Sequence, residues 1–164
     1  IDGHFNLDDL SVVIPLLADY DMVVAFKHNV LSTKLTSIHF LKSRVNYYLI
    51  KLLFNSKIKD FQFVQFIPRE FFCRGMILES YSSFVPPECI IKAQALGLSI
   101  AQIKLVYQYR FRDRKTKSNT FKTIIMSITN ILTFWFRWYF LNGRRDAINY
   151  FNNHLSGKHT WRAY

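Results

Sequence analysis

Cysteine, glycine and proline are scarce in this chain, at 2, 5 and 4 residues in 164. The two cysteines, Cys73 and Cys89, form no Cys-x-x-Cys and have no histidine at ligand spacing. That excludes a disulfide framework and a structural zinc site, and reads as two ordinary thiols in a reducing environment. There is no internal repeat and no low-complexity tract. Acid is scarce as well, with 11 Asp and Glu against 22 Lys and Arg, and the shortage is uneven. Residues 1–103 carry ten basic against nine acidic residues, net +1, whereas residues 104–164 carry twelve against two, net +10. What is abundant is apolar: 50% hydrophobic residues, 17% aromatic, with sixteen Phe. Such a chain has ample material for a core and is not globally disordered. Basic charge beside the most hydrophobic stretch points to an anionic membrane surface first and to nucleic acid second.

Along the chain, Asp2-Gly3-His4 reads either as a plain turn or as a carboxylate placed at the end of a strand. The other histidines, His28, His39, His154 and His159, are scattered and read as surface or cap residues. Leu7 to Ala18 reads as a helix started by Asn6, with Asp8 and Asp9 in its first turn and Pro15 bending it. Asp21 to Lys27 is an apolar run without alternation, the mark of a strand covered on both faces in a parallel or mixed sheet. Residues 28–37 read as loop, and Ile38 to Phe54 has helical period. Phe61 to Ile67 suggests a short strand, and Pro68-Arg69-Glu70 a helical turn. Pro86-Pro87-Glu88 opens a helix that Gly97 stops. Ile103 to Tyr109 alternates as a strand with one polar face.

The last third is a basic loop, Arg110 to Asn119, followed by the greasy stretch Phe121 to Leu141. In that stretch Thr123, Ser127, Asn130, Thr133 and Arg137 form a narrow polar stripe, and Trp135, Phe136, Trp138, Tyr139 and Phe140 crowd one end. The length suffices to span a membrane, about 20 residues being needed. Asn130 and Arg137 favour a helix lying in the headgroup interface, where Trp and Tyr concentrate; the alternative is a core helix. A second amphipathic segment runs from Arg144 to Leu155.

Taken in order, these pieces resemble the second half of a family 2 glycosyltransferase, in the branch of dolichyl-phosphate mannose synthase and polyprenyl-phosphate glycosyltransferases. The similarity rests on Asp2-Gly3-His4 and the Asp8-Asp9 helix, the strand Val23-Val24-Ala25-Phe26-Lys27, and then Arg44, Asn46, Asp60 and Gln62. Pro87-Glu88, Lys92-Ala93, Gly97, the strand to Tyr109 and the basic loop Arg112 to Asn119 follow. It covers nearly residues 1–141. His4 stands where that family usually has Gln, Val64 where Gly is common, and Lys115 or Thr116 where its loop glycine belongs. The first Asp of its Asp-x-Asp would precede Ile1, and its nucleotide-base pocket would be built upstream.

The resemblance implies an α/β fold: residues 1–120 as part of a GT-A-like domain, and residues 121–164 as basic amphipathic helices on the cytoplasmic face of a membrane. It implies transfer of a sugar from a nucleotide-diphosphate sugar to a lipid phosphate or glycan acceptor. Asp2 would hold Mg²⁺ or Mn²⁺ to neutralise the leaving diphosphate. Arg112, Arg114 and Lys117 would clamp an acceptor phosphate, guanidinium being suited to bidentate contact. Asp60 and Gln62 would line the sugar site, or equally cap the helix at Arg69. Glu88 would act as a base toward a hydroxyl acceptor, or serve as a helix N-terminal acid. No nucleic acid is expected as partner. The rival reading is a non-enzymatic basic module that binds membrane or RNA.

Overall fold

A computed structural model of the chain describes residues 6–27, 37–73, 76–80, 84–106 and 120–155. It is an α/β structure. Three strands, β1 (Met22–Lys27), β2 (Gln65–Phe66) and β3 (Ile100–Leu105), form one mixed sheet in the order β2-β1-β3. β1 runs parallel to β3 with Met22 opposite Ile100 and Lys27 opposite Leu105, and antiparallel to β2 with Val24 opposite Gln65.

The central strand is where the sequence pattern puts it, and its burial explains the pattern. Met22, Val23, Val24 and Ala25 are all buried, because both faces of β1 are covered. Val23 packs with Val13 and Ala101 beneath α1 (Leu10–Asp19), while Met22 and Val24 join the larger core on the opposite face. That core is made with α2 (Ser37–Phe54), α4 (Val85–Ala95), α5 (Thr120–Phe140) and α6 (Gly143–Leu155), and with Phe71 of the short α3 (Arg69–Cys73). Asp21 staples the amino ends of the parallel pair: its Oδ2 accepts from the Ser99 N–H and Oγ at 2.8 and 2.7 Å.

Several elements begin or end away from the expected residues. A short 3-10 turn, Leu7–Asp9, precedes α1, with Asn6 Oδ1 accepting from the Asp8 N–H at 3.3 Å. β2 is two residues rather than Phe61 to Ile67, because Asp60 bends the chain first, its Oδ1 accepting from the Gln62 N–H at 2.9 Å. β3 starts three residues earlier than Ile103, since pairing with β1 begins at Ile100; beyond Val106 the expected strand lies outside the described residues. Gly97 closes α4 at φ +72°, a left-handed conformation glycine adopts without Cβ strain, and the Leu98 N–H reaches back to the Ala93 carbonyl at 3.1 Å.

The largest departure concerns the stretch from Phe121 to Leu141. Its helix packs alongside α2 in parallel: Asn46 Nδ2 donates to Ser127 Oγ at 2.7 Å, and eight residues on Phe54 meets Phe134 at 5.8 Å between ring centres. Ser127, Ile131, Phe134 and Trp138 form the buried stripe, with Trp138 only 4% exposed and stacked on Phe134. So Trp138 is a core residue, and Ser127 of the polar stripe is buried while Asn130, Thr133 and Arg137 are exposed. The outward face carries Ile125, Leu132, Phe136 and Phe140, all well exposed. Among the described residues no single helix is long and apolar enough to cross a membrane; α5 and α6 together have the apolarity but meet at a bend of 71°.

Candidate functional site

In an open sheet with parallel strands, the carboxyl ends are where loops gather to bind ligands. Here that end belongs to Lys27 of β1 and Leu105 of β3. Because β2 runs antiparallel, the chain just before it lies over the same end: the Val64 carbonyl accepts from the Ala25 N–H at 2.8 Å. The segment Lys59 to Phe63 therefore crosses the carboxyl end. Its position is fixed from three sides. The Lys59 N–H donates to Gln102 Oε1 on β3 at 2.9 Å, the Lys59 ammonium sits 4.6 Å from the Phe26 ring centre, and Lys27 sits 5.6 Å from that of Phe63. Gln65 ties the segment to the start of α4, its Nε2 donating to the Pro86 carbonyl at 3.0 Å.

The start of α1 belongs to this end too. Tyr20 and Asp21 reverse the chain between α1 and β1, which pack together, so Asn6 to Asp9 lie toward the carboxyl end. Asp8 is exposed and accepts from Asn6 Nδ2 at 2.8 Å. Asp9 Oδ2 is buried without a hydrogen-bond partner among the described residues. The chain leaves the sheet here as well, at Val106.

Of the expected site residues, the structure brings Asp60 and Gln62 to the carboxyl end, Asp60 half-buried and Gln62 exposed. Half of the Asp60 carboxylate is engaged in its own turn, and it caps no bond of α3. Asp2, Arg112, Arg114 and Lys117 lie outside the described residues. Within those described, no group of three His, Cys, Asp or Glu is placed to hold a metal ion.

Glu88 is differently employed. It is fully buried, and its Oε1 and Oε2 accept from the backbone N–H groups of Glu79 and Ser80, each at 2.8 Å. Oε1 also meets Lys92 Nζ at 2.7 Å. With two donors on Oε1 and one on Oε2, this buried carboxylate orders the segment before α4. Lys92, itself buried, also donates to the Ile77 carbonyl. Glu79 Oε2 receives Arg137 of α5 at 3.1 Å. This four-residue array was not legible as a unit. Its one sequence signal is that Cys89, Ile90, Ile91 and Ala93 make the helix apolar all round, so a Glu and a Lys four apart must be buried together. Lys59 was likewise missed, being one lysine of an ordinary loop.

Searches of protein-family models, of curated proteins and of solved structures found no match to the chain.

Proposed function

We propose that this chain is the acceptor-side part of a GT-A-like glycosyltransferase that passes a sugar from a nucleotide-diphosphate donor to a phosphate-bearing lipid at a membrane surface. The observation that carries the reading is the convergence at the carboxyl end of the β1–β3 pair. The acidic start of α1, the Asp60 to Gln62 turn and the end of β3 all lie toward that end, and their order along the chain is that of the resemblance. Asp60 and Gln62 line the sugar, and Lys27 and Lys59 supply positive charge beside them. A lipid phosphate is already an anion, so the acceptor needs a cationic clamp from Arg112, Arg114 and Lys117 more than it needs a base. A divalent Mg²⁺ or Mn²⁺ held through Asp2 would supply charge neutralisation of the leaving diphosphate.

The membrane part of the proposal is favoured over RNA by the outward face of α5. Ile125, Leu132, Phe136, Tyr139 and Phe140 are exposed, a face of aliphatic and aromatic groups ending in tyrosine that suits the acyl and headgroup boundary. The reading places the protein on the cytoplasmic face, where anionic lipid meets the net positive last third.

The test is turnover of nucleotide-diphosphate sugars with a polyprenyl phosphate in vesicles, using the full gene product. Asp60→Asn and Arg112→Ala with Arg114→Ala should each lower kcat/KM by about tenfold or more while vesicle binding persists, tenfold being 1.36 kcal/mol of lost transition-state stabilisation. No turnover with any donor sugar, or full activity in both variants, would overturn the assignment. Steep loss of binding with salt together with preference for RNA over vesicles would favour the non-enzymatic alternative.

A further inference from the structure

The second concentration of charge in the molecule lies away from the carboxyl end. The first turn of α4 is tied to that end through Pro86 by Gln65, and Lys92 and the capping Leu96 lie about 9 and 15 Å further along at 1.5 Å per residue. There a partly open cavity of about 340 Å³ is enclosed by α4, α5, α6 and the segment Met76 to Glu79. Its apolar lining includes Met76, Leu96, Leu141 and Phe151; its charged lining is Glu79, Lys92, Arg137 and Asp146.

The charges are arranged in depth. Lys92 is the buried member, 5% exposed at its side chain, and Arg137 the outer one, 53% exposed. Glu79 stands between them, its Oε1 3.9 Å from Lys92 Nζ and its Oε2 3.1 Å from Arg137 Nη2. The contact with Lys92 is too long for a hydrogen bond. Glu88 lies behind Lys92 with both oxygens already engaged. Asp146 is largely exposed and lies 3.9 Å from Arg145. Swinging the partly exposed Glu79 side chain outward thus leaves one uncompensated positive charge at the head of an apolar cavity of ligand size.

We propose that this cavity binds a single-chain amphiphile with a compact anionic head, a phosphate monoester or carboxylate, and that Glu79 is the internal placeholder for that head. The head sits between Lys92 and Arg137, the guanidinium being suited to a paired contact with it. The chain lies against Met76, Leu96 and Phe151. The ligand chemistry overlaps that of the proposed lipid phosphate acceptor, but the cavity uses none of Asp60, Gln62, Arg112, Arg114 or Lys117, so it stands or falls separately from that reading.

The experiment is calorimetric titration of the protein with octyl phosphate, inorganic phosphate and octyl glucoside, each below its aggregation concentration. The expected result is saturable binding of octyl phosphate that persists with Arg112→Ala and Arg114→Ala, with inorganic phosphate and octyl glucoside at least about tenfold weaker. Arg137→Met should weaken octyl phosphate by about tenfold, and Glu79→Gln, which removes the competing charge but keeps the fold, should tighten it several-fold. Far- and near-ultraviolet circular dichroism establishes that each variant is folded; Glu79→Gln decides the matter should Arg137→Met unfold. Equal binding of inorganic phosphate would make this a plain anion site, and equal binding of octyl glucoside a plain apolar one. Either result overturns the proposal, as does absence of octyl phosphate binding or a Glu79→Gln variant that binds no more tightly.

Discussion

Removing Lys92 tests whether the Glu88–Lys92 pair holds the core together. Lys92→Met strips the 2.7 Å partner from a carboxylate with no solvent exposure, leaving it the N–H groups of Glu79 and Ser80. Breaking a buried pair from one side costs about 3–5 kcal/mol, and the two remaining donors place this case near the lower bound. Glu88→Leu is worse. It strands a buried ammonium left with the Ile77 carbonyl as acceptor and a Glu79 oxygen 3.9 Å away, beyond hydrogen-bond reach. It also unpairs two backbone donors at about 1–3 kcal/mol each where buried. The double variant carries no stranded charge and retains only the donor penalty, so it should be more stable than Glu88→Leu alone. The coupling energy from the cycle should reach about 2–3 kcal/mol. Urea unfolding followed by circular dichroism at neutral pH measures all four proteins. Single-variant losses under about 1 kcal/mol that simply add would mean the pair behaves as a surface bridge, and the reasoning about α4 would be wrong.

Three further outcomes follow from the same packing. Burial, with the Glu88 carboxylate adding to it, pushes the Cys89 thiol up to about 11 from 9.0. The folded state therefore holds its proton longer than the unfolded one, and the associated stability, at most about 2–3 kcal/mol, is present below pH 9 and lost as pH rises toward 11. Cys89→Ala should flatten that part of the stability profile, and alkylation of the native thiol at pH 8 should wait on unfolding; rapid alkylation would refute it. Trp138→Ser should destabilise the fold by about 3–5 kcal/mol, whereas Phe136→Ser, on the exposed face, should leave urea unfolding nearly unchanged and lower salt-resistant vesicle sedimentation. Equal stability losses in the two would overturn the assignment of faces. Gly143→Ala should cost about 1–3 kcal/mol in thermal unfolding, since its Cβ would meet the Arg137 carbonyl oxygen at 2.9 Å where α5 turns into α6; an unchanged Tm would mean the elbow relaxes freely.

What could be read from the residues alone was whatever a local period encodes. β1 announces burial on both faces through an unbroken apolar run, α2 and α4 show their starts or stops, and Gly97 marks a left-handed turn. β2 was overextended because Phe61 and Phe63 look like strand residues, while the deciding event is the Asp60 side chain bonding two residues on. At the candidate site, Asp60 and Gln62 were legible through a resemblance rather than through spacing, and the Gln65 bridge that places them beside α4 joins residues 21 apart.

The harder failures concern polar residues in apolar company. Ser127 belongs by sequence to a narrow polar stripe, yet it is buried because Asn46, 81 residues earlier, supplies its hydrogen bond across α2 and α5. A period of 3.6 locates a polar flank but not its orientation; that depends on which neighbour can satisfy the polar atom. Once Asn46 fixes Ser127 inward, Ile131, Phe134 and Trp138 must follow at the same face, and Ile125, Leu132, Phe136 and Phe140 are left outside. The helix is therefore a core helix and an apolar surface at once. Of the two alternatives its sequence offered, the core helix describes the buried side, and the proposal of an interface helix rests on the exposed apolar side alone.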